Sequence, residues 1–223
     1  MKITRRILGV LYKEFLTEFK NFSSAASVFL FVLTSVIIVS YSVSSKNISD
    51  EVFAGITWIL IFFTSMIGQS RVFVTEEERE TWLFLKINSN STSIYFGKLI
   101  FNIVFGFVAN LLTIGLLLIF NSKFIIDSYG MYILCVICGG IGISAASTII
   151  SALISKASSK GALFPVLAFP LILPIILLSI DATILSIVGA VPERIYSDLG
   201  VIIAYTGAVV TASYILFDFI FKE

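Results

Sequence analysis

Few residues in this chain could do chemistry, and two cysteines are the first candidates. Cys135 and Cys138 form a C-x-x-C pair, a spacing found in redox and metal-binding sites. The pair lies in an apolar stretch, which favours the neutral thiol over the reactive thiolate. Because Gly139 and not His follows Cys138, the pair is no haem-attachment motif. We therefore expect both cysteines to act as small apolar side chains.

Missing residue types narrow the possible functions further. The sequence contains no His, which excludes His general bases, His metal ligands and His haem ligation by this chain. It also contains no G-x-x-x-x-G-K-[ST] phosphate loop. We therefore predict a non-catalytic subunit that holds no metal and no stably bound cofactor, and whose energy is supplied by another protein.

Charge is concentrated in the segment 71–98, which holds eight ionised residues in a chain that is only 13% charged. The acidic run 76–80 suits the first turn of a helix, because the amino end of a helix is electropositive. The apolar group 82–85 follows it and could lie at the membrane interface or in a groove of a partner. A solvated linker is the alternative interpretation.

The elements around this segment are apolar. The chain is 58% hydrophobic, with 21 Phe and a mean hydropathy of +1.04, which is too apolar for a water-soluble globule of its size. Six uncharged runs can each supply the roughly 20 residues that cross a hydrocarbon core. We expect an all-α, polytopic protein with one membrane domain over residues 1–223. Its predicted spans are about 25–44, 52–72, 97–121, 129–154, 161–180 and 199–220.

Two further segments are too short or too charged to be spans. Residues 2–22 are predicted to form an amphipathic interfacial helix whose basic face can reach anionic lipid headgroups; an extension of the first span is the alternative. The uncharged stretch 182–192 has only 11 residues, which predicts an interfacial or re-entrant piece.

The positions of Lys and Arg predict the orientation. With the amino terminus inside, twelve of the 15 basic residues lie in inner segments, so both termini are predicted to be cytoplasmic. Ionisable residues are missing from the middle of every predicted span, which disfavours an ion-driven carrier. The net charge of +1 and the lack of a basic run give no indication of nucleic acid as a partner.

Two groups of residues indicate how the spans pack. Small residues allow close approach of helices in lipid, so the fourth span is predicted to pack closely, within the chain or at a dimer or conduit wall. Prolines remove backbone donors, so the fifth span is predicted to be bent or broken, either as a gate or as a static kink. The residues concerned are Gly139, Gly140 and Gly142 in the fourth span, and Pro165, Pro170 and Pro174 in the fifth.

Three blocks of sequence are similar to one known family. They are Trp58 running into 71–76, Lys98 at the opening of the third span, and 139–178 with its Ser151-Ala152 pair, Lys156, Phe169-Pro170 and Pro174. On these residues the chain resembles the CcmB family, haem exporter protein B, the membrane permease of the cytochrome c maturation ABC system. The chain departs from the family pattern at Glu80-Thr81 and over the polar run 88–93.

The resemblance implies an ABC-2-type permease in the cell inner membrane, paired with a second copy of itself and with cytoplasmic ABC ATPase subunits. A haem-handling membrane protein would be a further partner, and haem would be a substrate or would leave on a chaperone. The segment 71–98 would then couple the permease to the ATPase. The implied contacts are Glu76, Glu77, Glu78, Arg79, Lys156 and Lys160. An ABC-2 exporter of a lipid or glycan and a non-transporting assembly scaffold remain alternatives.

Overall fold

The computed structural model describes residues 2–43, 48–121, 126–155 and 160–222, and within these ranges the protein is helical with no strand. The predicted all-α class is therefore confirmed. The helices are α1 (Lys2–Asn21), α2 (Ser23–Val43), α3 (Asp50–Gln69), α4 (Arg71–Glu78), α5 (Trp82–Asn88), α6 (Ser91–Phe120), α7 (Tyr129–Ser155), α8 (Lys160–Ile187) and α9 (Pro192–Lys222).

Six stretches are long and apolar enough to cross a membrane, as the sequence predicts. They are Ser24–Val43, Asp50–Glu78, Ser91–Phe120, Tyr129–Ser155, Leu163–Ile187 and Pro192–Phe221. The second stretch includes both α3 and α4, because the chain stays in the helical region at Ser70 between them. α6 begins six residues before the predicted third span, so it includes the end of the segment 71–98.

The prediction of a separate interfacial piece at 182–192 is wrong. Residues 182–187 continue α8, and α9 already begins at Pro192. The continuation is packed: Ala182 and Thr183 are fully buried, and the indole nitrogen of Trp58 donates a hydrogen bond to the Thr183 hydroxyl at 2.9 Å. Asp181, which ended the uncharged run, is exposed at the surface, so its charge does not interrupt the helix.

A tight turn reverses the chain between α8 and α9. Gly189 adopts a positive φ of 68°, which side chains disfavour, and a Cβ there would lie 2.9 Å from the carboxylate of Asp127. The backbone N–H of Asp127 donates to the Ile187 carbonyl at 3.2 Å. The turn is thereby fixed to the residues that lead into α7.

α7 is the central helix of the bundle, and its small residues explain how neighbours approach it. A Cβ added at Gly139 would lie 2.3 Å from the Trp58 ring on α3, and one at Gly140 would lie 2.5 Å from Asn110 on α6. A Cβ at Gly142 would lie 2.8 Å from the hydroxyl of Thr206 on α9. The structure thus places each glycine against a different helix, where the missing side chain permits close packing.

The prolines of α8 do not break it. Pro165, Pro170 and Pro174 all lie within one continuous α-helix, so a broken fifth span is excluded. Neighbouring helices can compensate for a lost backbone bond in a membrane. The Tyr205 hydroxyl on α9 donates to the Leu171 carbonyl at 3.2 Å and so joins α9 to the proline-containing part of α8, although Leu171 is not itself a carbonyl that a proline leaves unpaired.

Candidate coupling site

The segment 71–98 folds into a helix–turn–helix and not into an open loop. α4 continues from α3, α5 follows after a three-residue turn, and two residues separate the end of α5 from the start of α6. In the turn, Glu80 adopts a positive φ of 55°, and the backbone N–H of Thr81 donates to the Glu76 carbonyl at 3.0 Å. The direction in which α5 leaves α4 is thereby set by local hydrogen bonding.

Beneath this helix–turn–helix lies an ion cluster formed by Lys13, Glu14, Glu76 and Lys98. Lys98 is completely buried, and its ammonium donates to Glu14 at 2.7 Å, to Glu76 at 3.2 Å and to the Val72 carbonyl at 2.5 Å. Lys13 pairs with both carboxylates, at 3.0 Å to Glu14 and closely to Glu76. Two positive and two negative charges therefore compensate one another. Lys98, Glu14 and Glu76 are buried, and buried charges require such pairing. Lys13 closes the cluster from its partly exposed side.

The ion cluster connects three helices that are distant in sequence. Lys13 and Glu14 lie on α1, Glu76 on α4 and Lys98 on α6. The Lys98 ammonium also lies 4.9 Å from the centroid of the Phe73 ring, a cation–π distance. A shift of α4 relative to α1 or α6 would separate charges in a dry site, so the cluster makes these helices move together.

Apolar packing also attaches α1 to the bundle. Val10 is buried, and a Cβ added at Gly97 of α6 would lie 2.8 Å from it. Phe15 packs edge-to-face on Phe101 of α6 with ring centroids 5.2 Å apart. Other residues of the predicted apolar face stay exposed, among them Phe19 at 68%. α1 is therefore amphipathic but docks on α6 through part of its apolar face.

Burial and the neighbouring charges shift the pKa values of Glu14 and Lys13 on α1. Burial would raise the pKa of Glu14, but the ammonium groups of Lys98 and Lys13 outweigh it and hold that pKa below its ordinary value. Burial, followed by the positive charge of Lys98, lowers the pKa of Lys13 to about 8. Glu14 is thus ionised in the cluster at neutral pH.

α5 is fixed to the bundle by one of its faces. Trp82 and Leu85 are buried, at 8% and 6% exposure. The Trp82 ring packs on Phe73 of α4 and on Phe217 and Phe221 of α9, with centroids 6.3, 6.5 and 6.1 Å apart. These aromatic contacts join α5 to both α4 and the carboxyl end of α9.

The opposite face of α5 is apolar and open. Leu83, Phe84 and Ile87 are 71%, 70% and 83% exposed, and their spacing places them on one side of the helix. We call these three residues the outer face of α5. An exposed apolar group of this kind is typical of a surface that meets the membrane interface or a partner protein.

The structure separates the six predicted contact residues. Glu78 and Arg79 are exposed at the carboxyl end of α4, and Glu77 is half-buried. Glu76 is 4% exposed and belongs to the ion cluster, so it is no surface contact in this conformation. Lys156 lies outside the described residues, and of Lys160 the structure describes only its place at the start of α8.

A second buried polar group, the polar seam, lies deeper between the spans. It consists of Gln69, Asn102, Ser144 and Thr148. The Gln69 amide donates to Ser144 at 3.0 Å and to the Asn102 carbonyl at 3.3 Å, and the Asn102 amide donates to Thr148 at 2.9 Å. These neutral bonds join α3, α6 and α7.

The cysteines lie away from both polar groups. Cys135 is buried and Cys138 half-buried in α7, and both are free thiols. Across the described ranges, no three His, Cys, Asp or Glu residues converge as a metal site would require.

Six potential membrane-spanning helices, of which α7 is the central one, define a multi-pass α-helical membrane protein, and the helix–turn–helix is continuous with two of them. A family model described as CcmB protein matches residues 5–220. The chain therefore belongs to the CcmB family and is a membrane component of the haem exporter ABC system, a permease-type subunit. The resemblance seen in the sequence is confirmed. No curated protein and no solved structure gives a match to the chain.

Proposed function

We propose that the chain is the non-catalytic permease of a haem-exporting ABC transporter, and that α5 is its coupling helix. The observation that carries this proposal is the division of α5 into two faces. Its outer face is open to a partner, whereas Trp82 and Leu85 hold the helix on the bundle. A cytoplasmic ATPase that binds the outer face would displace α5, and the displacement would pass through Trp82.

Two routes lead from Trp82 into the membrane. The first runs through Phe217 and Phe221 into α9. The second runs through Phe73 into α4, whose Glu76 is tied to Lys98 of α6. Both routes consist of packed rings or paired charges, which transmit displacement because they resist separation.

α4 also contacts the central helix. The Ser151 hydroxyl on α7 donates to the Ser70 carbonyl at 2.7 Å and accepts from the Phe73 backbone N–H at 3.1 Å. Movement of α4 would therefore reach α7, against which α3, α6, α8 and α9 pack. The chain thus has a continuous connection from α5 to most of its potential membrane-spanning helices.

Membership of the family supports a proposal for the assembly, and the charge bias supports one for the orientation. We propose a complex with a second copy of this chain, two cytoplasmic ATPase subunits and a haem-handling membrane protein, in the inner membrane with both termini cytoplasmic. Its output would be haem export or release of a haem-loaded chaperone in c-type cytochrome biogenesis. No cofactor would be held stably, since a chain without His offers few axial ligands.

The coupling role can be tested with the double variant Leu83→Gln/Phe84→Gln. We expect the variant to insert normally and to lose at least about 90% of the ATPase that co-purifies with the wild type, because the outer face supplies the buried core of the contact. The matched control is Ile3→Gln/Leu8→Gln, which removes two exposed residues of α1. Full retention of the ATPase by the α5 variant would refute the coupling helix.

The same cells can show whether the chain is part of a transporter or is an assembly scaffold that transports nothing. A catalytically inactive ATPase partner should abolish maturation of c-type cytochromes while still binding the permease. Normal maturation with that partner would support a scaffold instead. Co-purification with an ATPase of glycan or lipid export would indicate a different substrate.

A further inference from the structure

A basic groove of about 480 Å³ lies where α1 meets the carboxyl end of α4. Its lining residues are Tyr12, Lys13, Leu16, Thr17, Lys20 and Arg79. The five residues from α1 share one side of that helix, since they recur at intervals of one, three and four. Three cations and no carboxylate line the groove.

Two of these cations form no ion pair with any described residue. In the part of the chain that the structure describes, Lys20 and Arg79 have no carboxylate oxygen within 4.0 Å, whereas Lys13 is engaged in the ion cluster. The charge of Arg79 also reaches Lys13, where it contributes to the lowered pKa after burial and Lys98. A concentration of like charge of this kind attracts an anion.

The groove lies at the level of the span ends. Lys20 precedes the first potential span, which begins at Ser24, and Arg79 follows directly on the second, which ends at Glu78. Lipid headgroups occupy this depth. Leu16 and Tyr12, which are 38% and 67% exposed, provide apolar surface beside the cations.

We propose that this groove binds the phosphate of an anionic phospholipid headgroup. Lys20 and Arg79 donate to the phosphate oxygens, Lys13 adds positive charge while it stays paired with Glu14, and Leu16 contacts the start of an acyl chain. A lipid held between α1 and α4 would stabilise the docked position of α1. This inference is independent of the proposed coupling role, since it concerns lipid and not the ATPase.

The test measures retained lipid on the full-length protein. The purified chain is incubated with equal amounts of phosphatidylglycerol and phosphatidylcholine in mild detergent and analysed by native mass spectrometry. We expect selective retention of phosphatidylglycerol, and about thirty-fold weaker retention by Lys20→Gln/Arg79→Gln, because one basic residue near an anionic lipid is worth about five-fold. Arg79→Lys, which keeps the charge, should retain most of the lipid.

Arg5→Gln/Lys86→Gln is the matched control, since it removes the same charge from residues outside the groove. Equal losses in the two double variants would show general attraction to charge and overturn the site. Inorganic phosphate is the second probe: if phosphate alone stabilises the wild type against heat as well as phosphatidylglycerol vesicles do, a free anion and not a lipid is the ligand. Stabilisation by the vesicles alone, lost in Lys20→Gln/Arg79→Gln, supports the proposal.

Discussion

The ion cluster and the polar seam are both buried, but they use different chemistry at different depths. Lys98 lies about 10 Å along α6 from its first residue, whereas Asn102 lies one turn deeper. The cluster holds four charges, and the seam holds only amides and hydroxyls. Charge is costly in the middle of a membrane. Among the described residues, the buried ion pairs therefore lie at the end near α4, whereas neutral hydrogen bonds join the deeper helices.

The ion cluster and the polar seam also differ in the helices that they connect. The ion cluster connects α1 and α4 to the bundle, and these are the helices next to the proposed ATPase contact. The polar seam and the glycines of α7 connect the spans to each other. An external displacement would thus act first on strong, local ion pairs and then on weaker bonds distributed over close-packed helices.

Removal of Lys98 should have the largest effect on stability. Lys98→Met leaves the partly exposed Lys13 as the one cation that the structure pairs with the Glu14 and Glu76 carboxylates among the described residues, and breaking a buried ion pair costs about 3–5 kcal/mol. We expect the free energy of unfolding, measured by titration with sodium dodecyl sulfate, to fall by about that amount.

The triple variant Lys98→Met/Glu14→Gln/Glu76→Gln controls for this interpretation. It removes the uncompensated charges, so it should recover a large part of the lost stability. If the triple variant is no more stable than Lys98→Met, the loss comes from packing and not from unpaired charge.

Overpacking of α7 should have the next largest effect. Gly139→Val introduces side-chain atoms where a Cβ would already lie 2.3 Å from the Trp58 ring and 2.4 Å from the Ser179 hydroxyl. Such insertions typically cost about 1–3 kcal/mol. Gly115→Val on α6 is the control, since a Cβ there meets nothing within 4 Å. An equal loss in both variants would exclude close packing as the cause.

Six spans and the all-α class could be predicted because each uncharged run is a local signal. Charge also indicates that the segment 71–98 interrupts the apolar runs, but only 79–90 lie between the second and third potential spans. The ion cluster was not, because Glu14 and Lys98 are 84 residues apart and only the docking of α1 brings them together. The role of Glu76 as a buried partner was missed for the same reason.

The division of α5 into two faces could not be predicted either. Residues 82–85 are uniformly apolar, so no period distinguishes Trp82 and Leu85 from Leu83 and Phe84. The distinction arises from tertiary contact, since Phe217 and Phe221 arrive from the far end of the chain. Similarly, the extension of α8 through Ile187 depends on Trp58, which fixes Thr183.

Disruption of the polar seam should lower the free energy of unfolding by less than Lys98→Met or Gly139→Val does. Gln69→Leu removes the amide that donates to Ser144 and Asn102, but Ser144 still donates to the Asn102 carbonyl at 3.3 Å. Hydrogen bonds between helices in membranes average about 0.6 kcal/mol and reach about 1.7. We expect a loss within that range in the same unfolding assay. A loss as large as that of Lys98→Met would remove the distinction between the two regions.

The smallest expected effect is a dependence of stability on pH that comes from Lys13. Its pKa is about 8 in the folded protein against an ordinary value of 10.5, so between these values the unfolded chain binds more protons. Stability should therefore rise with pH across this window, whereas below pH 8 the protonated Lys13 imposes a constant penalty. Glu14, Glu76, Lys98 and Arg79 are the charged groups around it.

The effect is small because the Lys13 side chain is 36% exposed and water screens its charge. Lys13→Gln should reduce the rise in thermal midpoint from pH 8 to pH 10.5, and Lys20→Gln, which leaves the ion cluster intact, should preserve it. The comparison between these two variants isolates Lys13 from other groups that titrate in the window. If the thermal midpoint of Lys13→Gln rises with pH as much as that of the wild type, protonation of Lys13 does not lower the stability of the folded protein. Glu14 and Glu76 would then compensate both ammonium groups of the cluster.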